Sequence, residues 1–184
     1  MKFINHKLQL IYNRVNKKET VIFTVVFLLF TGLVLPFISS YTTRIIGVAE
    51  SPDTSFNFSL IHLYNIVESY GRDGRIFYVT MRWTFDIVWP LVYTVFLLSS
   101  IGYLSKAVNY KYGIKLLFFP LFAVLFDFLE NINATIIMLL YPTRIDIFGY
   151  FLFVSSVLKW ITISASFVIV IVLVIGLFIK RFKK

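Results

Sequence analysis

The sequence predicts an all-α polytopic membrane protein, a four-transmembrane-helix bundle with a short helical extracytoplasmic segment between helices 1 and 2. Of its 184 residues, 59% are hydrophobic, and the mean hydropathy is +0.83. Both values lie well above those of ordinary soluble domains. The apolar residues fall into four runs, each long enough to cross a hydrocarbon core of roughly 30 Å. We therefore expect one membrane domain over residues 1–184.

The hydrophobic pattern sets the bounds of each part of this domain. The predicted parts are a cytoplasmic amphipathic segment (1–19), the first membrane helix (20–38), an outer connection with a helix near 59–70 (39–81), the second helix (82–104), the third (115–140) and the fourth with an outer extension (147–180).

The N-terminal segment places Ile4, Leu8, Ile11 and Val15 at helical spacing, with basic residues mostly around the other side. This pattern is typical of an amphipathic helix on an anionic membrane surface. A poorly ordered basic tail is the alternative. The apolar run that follows, 20–38, is close to the roughly 20 residues that a membrane helix needs.

The outer connection contains a turn signal at 51–53, Ser-Pro-Asp. Its helix near 59–70 has Ser59 as N-cap and Gly71 as its C-terminal stop. Alternating residues at 56–60 also fit a short strand. A second turn is expected at 71–74.

The second membrane helix carries polar and aromatic residues on one face. Arg82, Asp86, Trp89 and Tyr93 are spaced by four, three and four residues, as a helical stripe requires. Pro90 within this helix leaves a carbonyl one turn earlier without its usual donor. Inside a membrane, another group must satisfy that carbonyl.

The third run carries Asp127, Glu130 and Asn131 on a single helical face, in the middle of an otherwise apolar segment. Each charge there costs roughly 2.5–3.5 kcal/mol on insertion scales, so such residues usually face the bundle interior. The last run is too long for one crossing. Residues 147–158 therefore extend the helix outside the membrane or tilt it strongly.

Basic residues indicate the topology. They gather in three regions: Lys2, Lys7, Arg14, Lys17, Lys18, Lys106, Lys111, Lys115, Lys180, Arg181, Lys183 and Lys184. Glu19 is the single acid there. By the positive-inside rule, both termini are cytoplasmic. We therefore predict a multi-pass protein of the plasma membrane. Residue usage rich in Ile, Lys and Asn is typical of a bacterial inner-membrane protein.

The polar residues of neighbouring crossings are expected to meet in the outer half of the bundle. The predicted ligand-binding residues are Arg82, Asp86, Trp89, Tyr93, Asp127, Glu130, Asn131 and Lys159. Three carboxylates at low dielectric need cations, protons or a bound cationic group. The site is thus a structural clamp, a ligand- or proton-handling pocket, or a catalytic group formed by Asp86, Asp127 and Glu130.

A set of sparse motifs resembles a family of small bacterial four-helix membrane proteins of unassigned function. The motifs are G-R-x-x-Y at Gly74, Arg75 and Tyr78, D-x-x-x-P-x-x-Y from Asp86 to Tyr93, and D-x-x-E-N from Asp127 to Asn131. The similarity covers most of residues 60–140. It implies that the outer-leaflet cluster is the distinctive feature of that family, and it brings no substrate.

Composition narrows the classes of function. The chain has no cysteine and two histidines, so we predict no metal site and no cofactor. The basic residues form no single solvated patch, which argues against nucleic acid. Three hypotheses remain: a pocket for a small amphiphile, lipid headgroup or cationic solute; a lipid-modifying enzyme with a carboxylate acid–base pair; and a structural subunit of a larger complex. Membrane lipids are the expected partners, and no protein partner is identified.

Overall fold

The computed structural model describes residues 2–47, 50–53, 55 and 57–183, and over these residues the chain is helical with no strand. The helices are α1 (Lys2–Arg14), α2 (Lys17–Leu29), a π-helical turn (Phe30–Val34), α3 (Leu35–Ile46), α4 (Leu60–Ser69), α5 (Gly71–Arg82), α6 (Phe85–Ala107), α7 (Gly113–Leu116), α8 (Phe118–Leu140) and α9 (Asp146–Phe182). The predicted all-α class is confirmed.

Three helical stretches are long and apolar enough to cross a membrane: Lys17–Ile45, Gly71–Ala107 and Asp146–Phe182. Their length and composition support a membrane protein. Each stretch extends beyond the predicted membrane helix that it contains, which is 20–38, 82–104 and 147–180 respectively.

The first of these stretches joins α2, the π-helical turn and α3 without interruption. Asn16 caps its start, since its Oδ1 accepts a hydrogen bond from the Glu19 amide at 3.0 Å. The stretch packs on α6 through aromatic rings. The Phe27 ring stacks on Phe96 with centroids 4.2 Å apart, and the Phe30 ring stacks on Trp89 at 5.6 Å.

Helices α8 and α9 run antiparallel along their full contact. Leu117 and Leu173 share a buried cluster at one end, and Met138 and Leu152 share another at the opposite end. α6 lies against both helices, with Tyr93 and Leu97 packed beside Ala123 of α8. This three-helix arrangement positions the polar residues.

Helix α4 packs on the α8–α9 pair at the end near residues 138–152. Ser59 caps it, its Oγ accepting from the His62 amide at 3.4 Å. Gly149 on α9 permits the approach, because a Cβ there would lie 2.4 Å from Leu60 Cδ2. Residues 57–59 form no strand, and Phe56 of the alternating segment lies outside the described residues.

Two stretches differ from the sequence predictions. Gly71 adopts a φ of +62°, which separates α4 from α5 at a single residue. The expected turn at 71–74 is therefore the first turn of α5. The expected single helix from 75 is divided at Trp83 and Thr84 into α5 and α6.

The N-terminal helix α1 packs against the rest of the protein. Leu8 is 2% exposed and lies in the cluster that includes Ile101 and Leu117. The Lys106 ammonium donates to the carbonyls of Asn13 and Val15, at 3.2 and 2.9 Å. The side chain of Ile4 lies outside the described residues.

Candidate functional site

Arg82, in the last turn of α5, is the centre of the polar cluster and is only 5% exposed. Its Nη2 forms an ion pair with the Asp53 carboxylate. Its Nη1 donates to Asn131 Oδ1 at 2.9 Å and lies 3.4 Å from both Glu130 Oε1 and Asp86 Oδ2. One guanidinium thus joins the 50–53 segment, α6 and α8, which suits its forked, always charged donor set.

Glu130 is fully buried, and its carboxylate is well supplied with donors. The Lys159 ammonium donates to Oε1 at 2.6 Å, and the Ser156 hydroxyl donates to Oε2 at 2.6 Å. Both donors come from α9, one turn apart. A buried charge is tolerable when it is paired and hydrogen-bonded in this way, so Glu130 fixes α8 against α9.

Asp127 differs from Glu130 although it lies one turn away on the same helix. It is 5% exposed, and its Oδ2 accepts a hydrogen bond from the buried Tyr93 hydroxyl at 3.0 Å. In the described part of the chain, no Lys or Arg nitrogen lies within 4 Å of its carboxylate. Asp127 is therefore a buried acid with a hydroxyl partner and without a direct ion pair, although Lys159 and Arg82 line the same space.

The carbonyl that Pro90 leaves without a helical donor is that of Asp86. It accepts a hydrogen bond from Asn131 Nδ2 at 3.2 Å. The prediction that another group must satisfy it is confirmed. Asn131 consequently uses both ends of its amide, since its Oδ1 accepts from Arg82.

Asp53 was missed as a site residue by sequence reasoning. The Tyr78 hydroxyl donates to its Oδ1 at 3.3 Å, and the Ser51 hydroxyl also donates to it. Burial disfavours its charged form, but Arg82, Lys159 and the Ser51 hydroxyl outweigh burial and hold the pKa of Asp53 well below its usual range. The 51–53 signal indicates only a turn, so nothing in the sequence marks its partner.

A cavity of about 190 Å³ lies between α6, α8 and α9; we call it the inner cavity. Its lining consists of Asp53, Arg82, Asp86, Trp89, Asp127, Lys159, Trp160 and Ile163. Two indole rings and three carboxylates therefore face one small space. Trp89 is held there by an edge contact with Tyr93, with ring centroids 5.6 Å apart.

The structure brings all eight predicted binding residues together. Arg82, Asp86, Trp89, Asp127 and Lys159 line the inner cavity. The other three support that lining: Tyr93 through Asp127, Glu130 through Lys159 and Asn131 through Arg82. Ser156, missed like Asp53, is a hydroxyl within an apolar run.

Two observations bear on whether these side chains could act as an acid–base pair or bind a metal ion. No hydrogen bond joins Asp127 to Glu130 among the described residues, since each carboxylate has its own partners. The same residues contain no group of three or more His, Cys, Asp or Glu side chains placed to hold a metal ion.

Compared with known proteins, the chain matches no family model, and no curated protein or solved structure is significantly similar to it.

Proposed function

We propose that this is a four-span membrane protein whose inner cavity binds a small organic cation. The observation that carries the proposal is Asp127, a buried carboxylate on the cavity wall that forms no ion pair within 4 Å among the described residues, while the nearby Lys159 is paired with Glu130. A buried acid in this position is stabilised by a positive charge placed beside it.

The charges around the cavity favour a cation over an anion. Asp53, Asp86 and Asp127 line it together with two basic residues, Arg82 and Lys159. Lys159 is already paired with the fully buried Glu130, whose carboxylate adds a further negative charge behind the wall. An anion would meet surplus negative charge. The two tryptophan rings add little free surface for a cation, because the Lys159 ammonium already lies 5.3 Å from the Trp160 ring centroid and Trp89 stacks on Phe30.

The proposed orientation places the cavity toward the outer leaflet. α8 serves as the third crossing, because it runs antiparallel to α9 along its length and its 23 residues suffice for the hydrocarbon core. With four crossings, both basic termini lie in the cytoplasm. Helix α4 and residues 50–53 and 57–59 then lie on the outer side.

In this proposal, part of the polar cluster has a structural role. Arg82, Glu130 and Lys159 pair with one another and hold α5, α8 and α9 together. The acid–base pair that an enzyme would need has less support, because Asp127 and Glu130 hydrogen-bond to separate partners.

The test uses choline and its neutral isostere 3,3-dimethylbutanol as probes of the protein in detergent. We expect choline to change tryptophan fluorescence and to raise the melting temperature, while the neutral isostere does neither. Asp127→Asn should weaken choline binding at least tenfold, since it removes the unpaired charge. Asp146→Asn, at an exposed acid of α9, is the matched control and should bind normally. Equal choline affinity in Asp127→Asn and the unmodified protein would overturn the proposal.

A further inference from the structure

A second and larger cavity lies on the other side of the Asp53–Arg82 ion pair. It has a volume of about 320 Å³ and is bounded by α3, α5 and the 50–53 segment; we call it the α3–α5 cavity. It shares Asp53, Arg82 and Asp86 with the inner cavity. The ion pair therefore stands between two spaces with different surroundings.

The walls of the α3–α5 cavity change from apolar to polar along its length. On α3, Leu35 and Ile38 line one end, and Thr42 and Thr43 line the other. Seven or eight residues of helix separate these ends, which corresponds to about 11 Å. The cavity is thus amphipathic in the direction of the helix axis.

On the opposite wall, Met81 and Phe85 lie next to the charged residues Arg82 and Asp86, while Tyr70, Glu50 and Ser51 come from the part of the chain beside the outer connection. α3 leads into this connection and α5 leads away from it, so Leu35 and Ile38 lie on the side of Met81 and Phe85. A molecule that fits this space has a polar head near residues 50–53 and a tail between α3 and α5.

The lining as a whole has a surplus of acidic groups. Glu50, Asp53 and Asp86 line the cavity with one basic residue, Arg82, which is already paired with Asp53. Glu50 also contacts the His62 ring at 2.8 Å. A phosphate or carboxylate headgroup would be repelled, whereas an ammonium headgroup would be attracted to Glu50 and Asp86.

The cavity is accessible from the side of α3. Leu35 and Ile38 are half-buried, and Ser39, which also lines the cavity, is exposed. These residues belong to the stretch Lys17–Ile45, which is long and apolar enough to cross a membrane. A lipid-soluble molecule therefore reaches the cavity sideways from the bilayer.

From this lining we propose that the α3–α5 cavity binds a single-chain amphiphile with an amine headgroup. The ammonium lies between Glu50 and Asp86, and the alkyl chain descends past Ile38, Leu35 and Phe85 into the hydrocarbon. This site shares Asp86 with the inner cavity, but its wall on α3 does not line that cavity, so labelling of α3 tests it independently of choline binding.

The test is photolabelling of the full-length protein in zwitterionic nanodiscs with a dodecylamine derivative that carries a diazirine in its chain. We expect mass spectrometry to place the label on α3 and on the segment from Met81 to Phe85. Unlabelled dodecylamine should reduce labelling at least tenfold, and dodecanoate should not. Labelling spread evenly over lipid-facing helices, or equal competition by dodecanoate, would overturn the proposal.

Two variants make the test specific to the cavity. Ser39→Phe fills the space from its exposed rim and should reduce labelling at least tenfold. Ser40→Phe introduces the same ring one position along, at an exposed residue that does not line the cavity, and should label normally. Melting temperatures close to that of the unmodified protein establish that both variants fold. Unchanged labelling of Ser39→Phe would contradict the site.

Discussion

Arg82 places its guanidinium within ion-pair or hydrogen-bond reach of acceptors from the 50–53 segment, α6 and α8. The guanidinium of Arg82 also lies over the Tyr78 ring, 4.7 Å from its centroid. Lysine could not replace it, because an ammonium lacks the planar fork that reaches several acceptors in fixed directions. At the residue scale, the cluster therefore depends on the kind of cation as well as on its charge.

The Asp53–Arg82 pair should make stability depend on pH in the acid range. The pKa of Asp53 is lower in the folded state than in the unfolded chain, whose value is about 3.9. Its contribution is therefore present above about pH 4 and is lost as the pH falls toward the folded value. We expect Asp53→Asn to lower the melting temperature at pH 7 and to differ less from the unmodified protein at pH 2.5.

The control for this pH prediction is Asp73→Asn, at an exposed acid in the first turn of α5. Its melting temperature should follow that of the unmodified protein across the same range. A deficit in Asp53→Asn that stays constant from pH 7 to pH 2.5 would show that the carboxylate contributes no charge-dependent stability.

At the scale of elements, Pro90 and Asn131 couple α6 to α8. The proline removes a donor from its own helix, and the amide of the neighbouring helix replaces it at the Asp86 carbonyl. An unsatisfied carbonyl in an apolar interior costs about 1–3 kcal/mol. The two residues should therefore depend on each other energetically.

A double-mutant cycle measures this dependence. Asn131→Ala should destabilise the protein, because it leaves the Asp86 carbonyl without a donor and removes one of the acceptors of Arg82. Pro90→Ala supplies the missing helical N–H, so Asn131→Ala should cost less in that background. We expect a coupling free energy of about 0.5–3 kcal/mol from chemical unfolding. Strictly additive effects would rule out the proposed replacement of one donor by the other.

Helical spacing explains which site residues could be predicted. Once α6 and α8 are helices, Asp86, Trp89 and Tyr93 share one face, and so do Asp127, Glu130 and Asn131. Asp53 was beyond such reasoning, because the path of an irregular segment is set by the ion pair it makes with Arg82. The start of α5 was missed for a local reason, since a single positive φ at Gly71 replaced the expected longer turn.

At the scale of the whole molecule, the proposed four crossings would place defined positions on opposite sides of the membrane. The chain contains no cysteine, so single cysteines report on topology without background. We expect Lys17→Cys, Lys111→Cys and Lys183→Cys to react with an impermeant maleimide only from the cytoplasmic side. Asn57→Cys and Thr143→Cys should react only from the other side. If Lys111→Cys and Thr143→Cys react from the same side, α8 does not cross and the four-span topology is wrong.

The π-helical turn at Phe30–Val34 sets how the first membrane helix is wound. A widened turn holds one residue more than regular winding would, and one residue corresponds to about 100° of rotation. Deleting a single residue there would leave Phe27 stacked on Phe96 but swing Ser39 and Thr42 a quarter-turn or more away from α5. The rotation of the first half about the helix axis therefore suits its packing on α6. The rotation of the second half decides which of its side chains form the wall beside Asp53.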